Sequence, residues 1–460
     1  MQIKKRFLTI LSGAFLALAL AACGGGAADD PPAATPTPDA PAAATPTPTP
    51  EPDPVDEAPD PVDMVLAWWG NPTRNEQTTD AIALFESEFP HVSVEELTVG
   101  WGDYWALLGT MAMGGDLPDV IQQDWAFLEQ YVANNLLVDL RPFIDNGTID
   151  LSNVPQSVIN TGRVAGSDGI YAISIGMNGA SMIYNQTLLD SLGITMNHNM
   201  TMDQFIDVAR QVYAETGVRT NLVYTDPSNP LEAFLRARGI IMLSPQGMGG
   251  SVQDYVDFFQ IIEDGINEGW HIHPEAMVGR EGMDMDPMVY AAEPNQMSWM
   301  GLFFSNMMTG MMNAAPDDMV LGMTTYPSEN PQVSNFIRAS MYFSITTQSD
   351  NQQTAAEFIN FWTNSVEVNH IIMAERGIPA STVVADAIAP DFNEANQIAS
   401  AFVEFVGQPG NSTPVNPARP EGAGEIVDYL RLIMENIGHG QMTAQQAGEA
   451  FFSFGNSMLN

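Results

Sequence analysis

From Asp63 onward the chain alternates between two hydrophobic periods. Met64–Trp69 is a short apolar run that breaks at Gly70-Asn71-Pro72, the pattern of a buried strand ending in a turn. Arg74–Phe89 then repeats apolar residues at helical spacing, with Ile82, Phe85 and Phe89 on one face and Pro90 as the stop. Val92–Leu97 reads as a second strand. Tyr104, Leu107, Leu108 and Met111 form the face of a second helix, which Gly114-Gly115 and Pro118 end. Val120-Ile121 is a third strand that runs out into Gln122, Gln123, Asp124 and Trp125, and a helix continues to Asn134. This order predicts a parallel α/β sheet with helices on its faces. Open sheets of that kind bind ligands beyond the carboxyl ends of their strands, which singles out Asp124 and Trp125. A loop flanked by ordinary core aromatics fits the same pattern.

Leu136–Phe143 closes this layer. Gly162–Ile175 reads as a hairpin turning at Gly166–Gly169. Gly176–Ala180 interrupts an extended run that resumes at Ser181–Asn185, and two glycines there suggest a bend or a close approach. Helical spacing dominates afterwards. Thr201 and Gln204 have the spacing of a capping box, and Thr443 and Gln446 start the last helix in the same way. Helices also fit Leu231–Arg238, Gln253–Glu268, Gln353–Trp362 and Val366–Glu375. Met319–Tyr326 and Phe336–Thr346 read as strands. The methionine-rich stretch 283–323 reads as core packing. No internal repeat is present.

Length and charge narrow the class. A chain of 460 residues exceeds one hydrophobic core and predicts two domains. Acidic residues number 56 against 15 basic ones, giving a net charge of -41, which disfavours nucleic acid and anionic lipid as partners. The single cysteine, Cys23, excludes an intramolecular disulfide and a Cys-rich metal site. Lys4, Lys5 and Arg6 precede an apolar stretch, Phe7–Leu20, and small residues lead to Cys23: a signal peptide over 1–22. The ending Leu20-Ala21-Ala22-Cys23 resembles the lipobox of bacterial lipoproteins, which implies cleavage before Cys23 and acylation of its thiol. Residues 23–61 are then a lipidated cysteine and a Pro/Ala/Thr-rich disordered linker, a spacer with a reach of roughly 100 Å.

Six blocks carry a resemblance over the rest of the chain. They are the segment from Trp68-Trp69-Gly70-Asn71 to Glu95, Asp103–Asp124, Asp168–Ile194, Thr201–Phe205, Ala355–Ser381 and Gly440–Phe451. In this order, behind a lipobox, they resemble extracellular solute-binding proteins of family 1, the carbohydrate-binding lipoproteins of bacterial ABC importers. The resemblance implies an α/β, two-lobed periplasmic-binding-protein-like fold with hinge crossovers and a ligand between the lobes. It places an N-terminal lobe at 62–177 and 322–364 and a C-terminal lobe at 178–321 and 365–460, with crossings at Gly176–Ala180 and near Met319. It implies a neutral sugar or oligosaccharide as ligand, ABC permease subunits as partners, and a monomer lipid-anchored through Cys23 on the outer face of the cell membrane. No catalysis, cofactor or metal is expected.

Sugars present apolar faces and a rim of hydroxyls, so flat aromatics and hydrogen-bonding side chains should line the cleft. Family positions fall on Trp69 and Asn71, with Trp68 beside them, on Asp124 and Trp125, on Asn178 and on Arg376. Trp101 and Tyr104 are candidates for the cleft edge. Either Trp299 or Phe303 fills the aromatic place of the second lobe. The segment 417–422 offers no aromatic where the family often has one. Neighbours along a strand face opposite ways, so one of Trp68 and Trp69 belongs to the core. The set His271, His273 and Glu275 has ligand-type residues but reads as an ordinary loop. Two rival readings share these residues: a receptor for a peptide or an amine, the latter through an aromatic cage, and a secreted carbohydrate-active enzyme with two convergent carboxylates.

Overall fold

The computed structural model describes residues 59–164, 166–280, 285–290, 293–417, 419–420 and 422–459. Cys23 and the leader lie outside them, as does the linker up to residue 58. Among the described residues the strands are β1 (Val62–Trp69), β2 (Val92–Val99), β3 (Val120–Gln123), β4 (Ile173–Ser174), β5 (Met177–Asn185), β6 (Leu243–Ser244), β7 (Gly247–Met248), β8 (Met300–Phe304), β9 (Leu321–Thr325), β10 (Ile337–Ala339) and β11 (Tyr342–Ile345). They form two main sheets and a small β6–β7 pair.

The first sheet runs β2-β1-β3-β11-β4. β1 is parallel to β2 and β3, while β11 is antiparallel to β3 and β4. Central strands covered on both faces need apolar side chains throughout, and Met64, Leu66, Trp68, Val120 and Ile121 are all buried. The three parallel strands end at one edge, where three helices begin: α1 (Pro72–Glu88), α2 (Trp101–Gly114) and α3 (Trp125–Ala133). Asn71 and Asp124 cap α1 and α3, accepting from the amides of Arg74 and Ala126 at 2.8 Å each. The capping boxes at Thr201/Gln204 and Thr443/Gln446 are formed as their spacing predicts.

The second sheet is antiparallel, in the order β10-β5-β8, with β9 also on β5. One of its faces packs on a core containing Phe205, Trp299, Leu302 and Ile433. The other packs on Ile183, Phe303, Met311 and Phe402. Met288, Met300, Met308, Met311 and Met323 are buried, so the methionine-rich stretch serves as core filler.

Three segments link the sheets and are laced together: Gly176, Ser340 and Arg376–Ile378. The Ser340 amide donates to Gly176 O at 2.8 Å, its hydroxyl donates to Arg376 O, and Met177 and Ile378 exchange backbone bonds at 2.6 and 3.0 Å. A Cβ on Gly176 would stand 2.3 Å from Arg376 O, and one on Gly377, at φ +99°, would stand 2.7 Å from Met177 O. Both positions therefore require glycine.

The strand pairings revise three expectations. β9 and β10 both pair with β5, so the return crossing lies between Ala339 and Tyr342, not near Met319, and the long strand 336–346 is split by it. Residues 322–339 thus belong with the second sheet, whereas Val368 and Ile372 join the core of the first. The segment 162–175 forms no hairpin among the described residues, because β4 pairs with β11 instead. β5 runs unbroken from Met177, and Gly179 within it leaves room for the Phe402 ring, 3.0 Å from where a Cβ would sit.

Candidate functional site

The carboxyl edge of the first sheet faces the second sheet's helices across a narrow cleft. Trp125, the first residue of α3, lies on this edge. The Arg419 guanidinium lies 5.6 Å from the centre of its ring. Arg419 in turn pairs with Glu232 at 3.1 Å and donates to Ser228 Oγ at 3.2 Å, while Asn416 donates to the other Glu232 oxygen at 2.8 Å. Arg236 holds the 413–416 segment in place, donating to Thr413 Oγ1 at 2.7 Å, Pro414 O at 3.0 Å and Asn416 Oδ1. Burial lowers the pKa of Arg236, with Glu232 opposing. Trp125, Glu232, Asn416 and Arg419 line a narrow crevice, with Met242 and Leu243 beside them. The buried Arg419 Nε has no partner among the described residues.

The floor of the cleft comes from the second sheet. Arg338 is opposite Asn178 and Phe304 is opposite Ala180 in the antiparallel register, so all four share one face. Asn178 donates to Asn306 at 2.9 Å, and its Oδ1 is buried without a partner. Arg338 lies 3.8 Å from the centre of the Phe304 ring.

Several predicted contacts belong to the scaffold instead. Trp68 is fully buried, donating to Asn75 Oδ1 at 2.9 Å. Tyr104 is also fully buried; its hydroxyl donates to the carbonyls of Ala67 and Gln122, tying the ends of β1 and β3, and burial raises its pKa far above the usual phenol range. Neither candidate for the second-lobe aromatic reaches the cleft. Trp299 is core, with its indole donating to Thr220 Oγ1 at 2.8 Å, and Phe303 turns to the sheet's other face. Phe304, the neighbour with opposite alternation, occupies the cleft side. Arg376 is fully buried between Gln122, Thr78 and the Trp362 ring, where burial foremost and Arg74 next push its pKa down to about 9. It braces the hinge. Asn71 is exposed and occupied as a helix cap.

Trp69 is nearly buried at 7%, edge-on to Trp101 at 4.9 Å, with Trp105 at 5.6 Å beyond. Trp101 is 47% exposed at the rim. The structure thus groups Trp69, Trp101, Asp124 and Trp125 on one side of the cleft and Asn178 on its floor. Arg419, Glu232, Asn416, Phe304 and Arg338 were missed. The absence of an aromatic in 417–422 hid Arg419, and only the Phe303–Phe304 alternation hinted at Phe304. His271 is no metal ligand as it stands: Nδ1 contacts Ile272 O at 2.8 Å and Nε2 accepts from Leu222 N at 3.1 Å.

Two lobes carrying sheets, laced by three crossings and facing each other over a cleft, define the α/β fold of periplasmic solute-binding proteins. Comparison with solved structures agrees. A family 1 extracellular solute-binding protein of Alicyclobacillus acidocaldarius matches with a TM-score of 0.69 at 22% identity, covering 88% of this chain and 100% of that one. A periplasmic oligogalacturonide-binding protein of Yersinia enterocolitica, in complex with saturated digalacturonic acid, matches at 0.71 and 20% identity, covering 86% and 98%. An ABC substrate-binding protein of Listeria monocytogenes in complex with cycloalternan matches at 0.71 and 16%, covering 87% and 99%. The model of the bacterial extracellular solute-binding protein family matches residues 80–400, and the chain belongs to that family. It is a family of transport receptors, not of enzymes. No helix among the described residues is long and apolar enough to cross a membrane.

Proposed function

We propose that this protein captures a sugar or oligosaccharide between its lobes and delivers it to an ABC permease, tethered to the outer face of the membrane by an acylated Cys23. The observation that carries the reading is Trp125: a flat ring at the carboxyl edge of the sheet, beside Asp124, faced by Arg419, Glu232 and Asn416 from the opposite lobe. Aromatic surface for a sugar face and hydrogen-bonding groups for its hydroxyls meet there from both sides. The guanidinium already on Trp125 speaks against an amine, since a cation cage is aromatic throughout and repels a second cation. The crevice leaves about 10 Å³ of room, enough for little more than a water molecule, so binding a sugar requires the lobes to part and close again about Gly176, Ser340 and Gly377. A ligand touching both lobes only when they are closed biases that equilibrium, and the permease reads the closed form.

The test is a titration of the purified protein with mono- and oligosaccharides, peptides and amines, following tryptophan fluorescence. A response to glycans alone is expected. Trp125→Ala should weaken it about 10- to 100-fold, the range of a central aromatic anchor. Response to peptides or amines and to no glycan overturns the sugar reading. Cys23→Ser should release the protein from membranes into the medium; retention would refute the anchor.

A further inference from the structure

Among the described residues, one arginine at the cleft, Arg338, forms no ion pair. Six of the described arginines are tied to carboxylates, including Arg74 with Glu375 at 2.8 Å and Arg419 with Glu232 at 3.1 Å. Others, such as Arg236 and Arg376, are held by carbonyls, amides or hydroxyls. Arg338 has neither an ion pair nor a hydrogen bond among the described residues, and its Nε is buried and unpartnered.

Its position is built. Arg338 sits on β10, directly before the Ala339–Tyr342 crossing, and its guanidinium rests on Phe304 at 3.8 Å. Phe304 is half-buried and belongs to none of the three hydrophobic cores, and the guanidinium rests on its ring. Beside it, Asn178 presents an unpartnered buried Oδ1 on the same face. Two acids of the cleft region are committed elsewhere. Asp124 caps α3, and Asp226 accepts from the Ser228 amide at 2.9 Å and its hydroxyl at 2.8 Å. Burial raises the hydroxyl pKa values of Tyr326 and Tyr342, and the Arg338 charge partly offsets both.

We infer that the ligand carries a carboxylate, as a uronate-bearing sugar does, and that Arg338 receives it on the cleft floor while Asn178 Oδ1 accepts from a neighbouring hydroxyl. This rests on the sugar reading above and replaces the neutral sugar that the resemblance implied; the net charge of -41 does not oppose it, since charges are screened beyond about 8 Å at physiological ionic strength. A guanidinium already held flat against a ring loses little freedom when it pairs with a carboxylate, which is planar and matches its two-pronged donors.

The experiment compares acidic sugars with their neutral counterparts: galacturonate with galactose, glucuronate with glucose, mannuronate with mannose, and digalacturonate with its carboxyl-reduced form. Binding is measured by calorimetry on the full chain, for wild type, Arg338→Gln, Arg338→Lys and Arg219→Gln. Arg219, whose side chain is also without a hydrogen bond among the described residues, packs on Tyr213 and serves as the control. In the wild type at least one acidic sugar should bind roughly 10- to 100-fold tighter than its neutral partner, the range of a charge-assisted hydrogen bond. Arg338→Gln should abolish that ratio, Arg338→Lys should restore part of it, and Arg219→Gln should leave it unchanged. Circular dichroism melts establish that each variant is folded. Neutral sugars binding as well as acidic ones, or a ratio that survives Arg338→Gln, overturns the carboxylate while leaving the sugar reading in place. Binding of no sugar from either series overturns both.

Discussion

One methyl group at Gly176 should loosen the lacing of the three crossings. In Gly176→Ala the new Cβ would fall 2.3 Å from Arg376 O, 2.9 Å from Ser340 Oγ and 3.0 Å from Arg376 C. Carbon and oxygen need roughly 3.3 Å, so the 376–378 segment must retreat by about 1 Å. Two contacts lie in its path: the Ser340 hydroxyl bond to Arg376 O and the paired bonds between Met177 and Ile378. Overpacking typically costs about 1–3 kcal/mol, and each weakened bond about 0.5–1.5 kcal/mol. With three bonds weakened the expected loss is about 2.5–7.5 kcal/mol, a large part of the ~5–15 kcal/mol of a typical domain and concentrated at the crossings. Urea unfolding gives the stability, and hydrogen exchange at the amides of Ser340, Met177 and Ile378 gives the local effect. Gly109→Ala is the control. Its site on α2 is open, with nothing within 4 Å, and alanine should stabilise by about 0.5–1 kcal/mol. A Gly176→Ala protein within 0.5 kcal/mol of wild type, with unchanged protection at those three amides, would falsify the account of the crossings.

Other expectations follow from the same contacts. Tyr104→Phe removes the hydroxyl that joins Ala67 O and Gln122 O, and should cost about 1–3 kcal/mol of stability in a urea titration; a neutral change would mean the two strand ends need no tie. Arg419→Met leaves Glu232 facing the cleft without its cation, and should weaken both stability and ligand binding; unchanged binding would remove Arg419 from the site. Two buried groups should oppose each other in the pH dependence of stability. Burial pushes Asp286 up to about 6, so its contribution is full below the unfolded value of 3.8 and is lost as pH rises through 6. Burial pushes His271 down to about 4, so its contribution is full above 6.5 and is lost as pH falls toward 4. Asp286→Asn removes the first, and stability should then climb with pH between about 4 and 6.5 by an amount on the order of 1–3 kcal/mol. Identical slopes for wild type and variant would sink this assignment.

Much of the architecture was readable from local patterns. The first five elements of the first lobe appeared in order, because a buried strand is apolar throughout and a surface helix repeats every 3.6 residues. The capping boxes at Thr201 and Thr443 were read from spacing alone, since their bonds close within four residues. Asp124 and Trp125 were found for a related reason: a polar and aromatic run directly after a buried strand has only the sheet edge to occupy.

What local pattern left open was decided by partners far away in the chain. Period-two alternation says that Trp68 and Trp69, or Phe303 and Phe304, face opposite ways, but not which face looks into the cleft. That depends on which core each sheet covers, and it put Phe304 where Trp299 or Phe303 had been expected. The apolar run 336–346 reads as one strand, yet β10 bonds to β5 and β11 bonds to β3, so the crossing falls at Ser340. Strand pairing is a choice among distant backbones, and nothing in the run itself records it. Arg419 and Arg338 are the clearest cases. Each is an unremarkable arginine in sequence, and only the folded chain sets one over the Trp125 ring and leaves the other without a carboxylate at the floor of the cleft.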